Sequence, residues 1–324
     1  MMARLLAGLR ISVKLDRFEL LIVLLVTVFG LAALLLIGMR LQSFAPTPHC
    51  QELVWRGYSS EDLRGCPGLL EFVQFDTSFT SNAMVAMSVA PFAIGTLLGS
   101  PVVAREIDTG TSELAWSLTV SRTRWLVGRL LPLLSAVLLA SLLLGFGAEW
   151  LEHVRFSVVP AAESFRDYGS RGPLLAARAV TAFSIGILVG TVMGRTVPAL
   201  VLTAIASVVV YFALSTAALA LQPLDPVSTS QAQGDIGVLN VRLAWRTPGG
   251  QVLSDEQARQ TIPASSSDPE AAILWLNEHY QGVSMIIPGT RMPRMAWTES
   301  VLHGAVVLLT FGASLILVQR RRPF

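Results

Sequence analysis

Apolar residues in this chain come in long unbroken runs, not in the short stripes of an amphipathic soluble protein. Six windows, 20–39, 82–104, 130–148, 173–194, 196–221 and 298–318, are almost wholly apolar. Each matches the roughly 20 residues that a helix needs to cross about 30 Å of hydrocarbon. The pattern predicts an all-α polytopic membrane protein with six transmembrane helices. The fourth window contains Arg178, whose long side chain could snorkel to the interface if it sits near a helix end. Composition agrees: 52% of residues are hydrophobic and 14% charged, against about 25% charged in a soluble domain.

Orientation follows from the basic residues, because short cytoplasmic loops are enriched in Lys and Arg. Six spans put both termini on one side. That side holds Arg4, Arg10, Lys14, Arg17, Arg105, Arg122, Arg124, Arg129, Arg195, Arg320, Arg321 and Arg322, half of the 24 basic residues. Of the 22 acidic residues it holds only Asp16, Glu19, Glu106, Asp108 and Glu113. Both termini are therefore expected in the cytoplasm. Residues 1–18 lack the apolar core of a cleaved signal. Leu5, Leu6, Leu9 and Val13 fall on one side of a helix, and Arg10, Lys14 and Arg17 on another, which suits an amphipathic helix on the inner leaflet. A basic tail that only sets topology fits the same residues.

Three segments are expected outside: 40–81, 151–172 and 222–297. The only cysteines, Cys50 and Cys66, both fall in the first, where an oxidising milieu favours a disulfide. Unpaired thiols are the alternative. A metal site with His49 lacks paired-ligand spacing. Segment 222–297 is rich in Pro, Ser, Gln and Gly, with a short helix expected at 268–279 after the start signals Asp268 and Pro269. Its apolar content is thin for independent folding, so an external segment ordered against other loops or a second copy is expected.

Motifs of internal chemistry are missing. A P-loop needs a lysine on the phosphates, and the sole lysine, Lys14, follows Val13. No H-E-x-x-H or G-x-S-x-G occurs. Span centres lack Asp and Glu, the usual sites of coupling ions. Glu299 and His303 lie at the outer end of the last span, where interfacial anchoring competes with a transport role. Nothing points to nucleic acid, a resident cofactor or a metal.

Packing signals remain. Ala182, Gly186, Gly190 and Gly194 recur every four residues, a strip along which another helix can approach closely, either within one chain or between two copies. Pro91, Gly95 and Gly99 could bend the second span. The stretch 104–129, AREIDTGTSELAWSLTVSRTRWLVGR, is too polar for hydrocarbon and too short for a domain. Gly110 offers a turn, Thr109 or Thr111 a helix cap, and its mixed charges a surface that fixes register. Trp125 reads as an interfacial anchor, whereas Trp116 could pack against the bundle or a partner.

That stretch, with its Ala-Arg-Glu, Gly-Thr pair and S-R-x-R-W ending, resembles the segment after the second span in permease subunits of ABC-2 type transporters, particularly their actinobacterial branch. FSIGILVGTVMGRTVPALVLT and GTRMPRMAWTESVLH resemble that family too. The resemblance implies a coupling helix that docks on a separate ATPase subunit, which carries ATP and Mg, in an assembly of two permeases and two ATPases in the bacterial plasma membrane. It makes Arg105, Glu106, Asp108, Thr109, Gly110, Thr111 and Glu113 candidate ATPase contacts. It also sets the second and fifth spans across a dimer axis, with Met84, Met87, Ser88, Thr96, Tyr211, Ser215 and Thr216 as candidate path residues. Export of an amphiphilic or hydrophobic substrate fits such a wall. An ion-coupled transporter or channel, and a scaffold or sensor acting through 222–297, are the alternatives.

Overall fold

The structure, a computed structural model, describes residues 16–56, 65–111, 121–156, 159–228, 237–263 and 268–320. The expected N-terminal helix up to residue 15, together with Glu113, Trp116, Arg321 and Arg322, lies outside the described residues. Helix α1, Arg17–Ser43, is followed by the short α2, Pro48–Arg56. Cys50 and Cys66 form a disulfide with Cα atoms 5.7 Å apart, and it packs with Leu53, Leu69 and Val73. Helix α3, Leu69–Phe75, runs through a π-helical turn, Asp76–Thr80, into α4, Ser81–Asp108. The second span is thus one 40-residue helical rod, Leu69–Asp108, longer than its apolar window because α3 and the π-helical turn continue it at the N-terminal end.

Helix α5, Arg122–Arg155, is capped by the Ser121 side chain, which accepts from the Arg124 amide at 3.1 Å. Helix α6, Gly172–Met193, begins with Pro173 in its first turn and ends at Gly194, whose φ of 60° is left-handed. Gly194 thus stops the helix instead of extending its smooth strip. Helix α7, Thr196–Ala220, follows at once. The six long apolar helices form an all-α membrane part with α6 at its centre, packed against α4, α5, α7 and α10. Outward faces of α1, α4, α7 and α10 carry exposed Phe29, Leu97, Val197 and Leu308, as expected of surfaces meeting lipid.

Segment 222–297 differs from its expectation by containing a sheet. Strands β1 (Asp225–Ser228), β2 (Leu239–Arg246), β3 (Val252–Ser254) and β4 (Gln281–Ile287) pair antiparallel in the order β1-β4-β2-β3. Helix α8, Asp255–Arg259, has a capping box between Ser254 and Gln257, and α9, Pro269–His279, fills the expected position with Asp268 as N-cap. The alternation Leu239, Val241, Leu243, Trp245 is a strand signal. A bulge between Asn240 and Arg242 breaks it, and beyond the bulge adjacent Ala244 and Trp245 are both buried. Trp245 packs with Ala258 and Leu276. Ile287, Met292 and Met295 pack with Phe165 of the loop between α5 and α6. The segment orders against that loop because neither patch is large enough to stand alone. Helix α10, Met292–Arg320, then returns through the bundle.

Candidate functional site

At the basic end of the bundle, α4 finishes in an exposed turn. Thr109 closes it by donating to the Arg105 carbonyl at 2.8 Å, and Thr111 donates to the Glu106 carbonyl at 3.3 Å. Gly110 has a φ of 71° with open space around it, a backbone position that disfavours side chains. Arg105, Asp108, Thr109, Gly110 and Thr111 are exposed. Glu106 is not: it turns into the bundle and pairs with Arg129 of α5 at 3.1 Å. Arg129 also reaches Asp16, just before α1, at 2.9 Å. Burial is the main cause that raises the Asp16 carboxyl to about 6, and Arg129 opposes it. Asp108 faces the amide and hydroxyl of Thr196 at 3.4 and 3.3 Å, a carboxylate placed at the positive start of α7. Gln319 of α10 donates to Thr123 of α5 at 2.8 Å. The exposed turn is therefore tied to α1, α5 and α7, and α10 joins at α5.

The small-residue strip lies within one chain. A Cβ on Gly186 would stand 2.8 Å from the Ser100 amide and 3.0 Å from the Gly99 Cα, and one on Gly95 would strike Ala182. Gly95, Gly99 and Ser100 of α4 thus meet Ala182, Gly186 and Gly190 of α6 backbone to backbone. The glycines expected to bend α4 instead admit its neighbour, and the helix runs unbroken through Pro91 and Pro101.

Path candidates are scattered. Met84 is buried with Leu34, Ala148 and Leu151, and Met87 packs on the same cluster. Ser88 and Thr216 are exposed and bonded to carbonyls of their own helices. Thr96 is buried with no hydrogen-bond partner among the described residues. Tyr211 and Ser215 turn inward toward a cluster of charge. There Arg178 does not snorkel: it is 4% exposed, Glu299 is 0% and His303 2%. Arg178 Nε and Nη2 donate to Glu299 Oε1 at 3.1 and 2.6 Å, and Ser215 donates to the same oxygen at 3.1 Å. The Arg178 guanidinium lies 4.6 Å from the Tyr211 ring centroid. The sequence signal was an Arg in one span and an acid in another, which linear reading cannot pair.

A second ionic cluster marks the opposite end. Asp76, on the π-helical turn, pairs with Arg155, whose Nη1 also meets Asp167 at 2.8 Å. The guanidinium groups of Arg155 and Arg166 both lie over the Phe156 ring, at 5.1 and 4.3 Å from its centroid. Burial first, then the Arg155 charge, lowers Arg166 to about 10, which leaves it cationic at neutral pH. Burial, then the Glu299 charge, raises the Tyr168 hydroxyl.

The family model described as ABC-2 membrane transporter related matches residues 23–218, which takes in all of α4 to α6 and the exposed turn. The chain belongs to the ABC-2 membrane transporter-related family. No curated protein and no solved structure matches it. As a member of that family, the chain is a membrane permease component of an ABC transporter, and such permeases work with an ABC ATPase. The matched stretch ends before the sheet of the ABC-2 permease, whose first strand begins at Asp225.

Proposed function

We propose that this permease is the transmembrane half of an exporter in the bacterial plasma membrane, with the basic end cytoplasmic and two copies joined to two ATPase subunits that hold ATP and Mg. The observation that carries the reading is the exposed turn Arg105 to Thr111 between two spans of the matched family stretch. Arg105, Thr109, Gly110 and Thr111 present its outward groups, while Glu106 supports the turn from behind through Arg129. Glu113, outside the described residues, remains a candidate contact by sequence. The apolar helix surfaces suit an amphiphilic or hydrophobic cargo and disfavour a small, strongly charged one.

Co-expression with the cognate ABC ATPase subunit, followed by purification through a tag on the permease, tests docking. The wild-type pair should copurify and hydrolyse ATP, whereas the permease alone should not hydrolyse it. Arg105→Glu and Gly110→Trp should each lower recovery of the ATPase about tenfold, since interfacial charge reversal and backbone strain each cost a few kcal/mol. Full recovery with both variants would reject this turn as the docking surface.

A further inference from the structure

The charge cluster around Glu299 is unused by docking, yet it is among the most costly features of the molecule. Ionised groups inside a membrane bundle are expensive and are retained where they do something. Glu299 lies about 10 Å along α10 from its start, at 1.5 Å per residue, and is wholly enclosed. One of its oxygens, Oε1, gathers three elements: Arg178 of α6 at 2.6 Å, Ser215 of α7 at 3.1 Å, and His303 of its own helix at 3.6 Å. His303 Nδ1 is 2.9 Å from the Thr181 hydroxyl of α6. Arg178 covers the Tyr211 ring, and Tyr211 in turn meets Phe92 of α4 edge-on at 5.4 Å.

Tyr211 and Ser215 are the two path candidates of α7 that do not face outward, and both are held by this pair. Elsewhere one face of α7 is open at Val201, Ile205 and Val209, and the opposite face packs through the small residues Ala199, Thr203 and Ser207. Ser215 and Tyr211 add polar contacts to the Glu299 pair at the far end of that helix. His303 reaches Glu299 Oε1 through Nε2 and the Thr181 hydroxyl through Nδ1, so the imidazole ties the carboxylate of α10 back to α6.

We propose that Glu299 and Arg178 are positioning residues for transport: their pair holds α7 against α6 and α10 through Ser215 and Tyr211, and closes the outer part of the path until α7 is released. The assignment rests on α7 being a path helix of the permease. Its test needs no ATPase, so it fails separately from the docking claim.

The native cysteines are bonded to each other, so a single introduced thiol can be followed cleanly. Ala218 of α7 is fully buried, three residues beyond Ser215. In the full chain in lipid nanodiscs, Ala218→Cys should react slowly with a membrane-impermeant cationic methanethiosulfonate. Adding Glu299→Gln, which weakens every bond to that carboxylate, should speed labelling about tenfold, and adding Ser215→Ala, which removes one of them, about threefold. The paired change Arg178→Met with Glu299→Leu separates positioning from packing. Apolar replacement of a buried ion pair commonly keeps stability, so a merely structural pair would leave the thiol protected. A positioning pair predicts fast labelling in a chain whose melting point is retained. Unchanged labelling in folded Ser215→Ala and in the apolar pair would overturn the assignment.

Discussion

Arg129 shows how one side chain can change the meaning of its neighbours. By sequence, Glu106 and Asp108 were equivalent acids on one polar stretch; in the structure Glu106 belongs to Arg129 and Asp108 to the start of α7. No spacing rule foretells this, because Arg129 approaches from another helix. Reversing Glu106 or Arg129 singly should leave two like charges half-enclosed and lower the melting point of the purified chain. Combining Glu106→Arg with Arg129→Glu should recover much of the loss, although the new carboxylate at position 129, beside Asp16, would keep recovery incomplete. A double-mutant cycle measures the coupling, with about 0.5–3 kcal/mol expected for residues in direct contact. Asp16 provides a pH test. Its carboxyl is raised to about 6 in the fold, so between about pH 4 and pH 6 the native state binds a proton that the unfolded chain has lost. That contribution favours folding at low pH and fades as pH rises through 6. Asp16→Asn removes it, so the variant should gain stability relative to wild type between about pH 4.5 and pH 7.5 in paired thermal melts.

Among elements, the long helices were legible because hydrocarbon imposes a single simple requirement, an apolar run of sufficient length. The small-residue strip was legible for a similar reason: a repeat of four puts Ala182, Gly186 and Gly190 on one face, and only close approach rewards it. Its partner was not legible, since Gly95 and Gly99 read equally as a bend. The π-helical turn at Asp76–Thr80 was not read from the sequence, and the partner of its Asp76 is the distant Arg155. The contact between α4 and α6 makes a sharp prediction. Gly186→Ala would set a methyl 2.8 Å from the Ser100 amide and should cost about 1–3 kcal/mol, as overpacking does. Gly304→Ala, in α10 with open space around it, should be neutral or slightly stabilising. Thermal melts of the two variants decide it.

For the whole molecule, sequence captured the membrane part and undervalued what lies outside. The sheet was hidden because its strands are short, one is bulged, and their patches are completed by Phe165 from elsewhere in the chain. The disulfide was favoured by compartment, and the fold brings Cys50 and Cys66 together. Replacing both with Ser should lower the melting point of the full chain. Closing a loop of about 15 residues is worth roughly 3 kcal/mol in the chain-entropy account. Equal melting points with and without reductant would show that the bond adds nothing.

The backbone-to-backbone seam of α4 and α6 has a mechanical consequence. Where Gly99, Gly186 and Gly190 bring main chain against main chain, the two rods cannot roll past each other without striking backbone, so they move together as one strut. One end of that strut is the turn at Gly110, and along its other arm sits Arg178. A push delivered at the first is therefore expected to carry the second with it, and α7, held at that arm through Ser215 and Tyr211, is the next element to receive it.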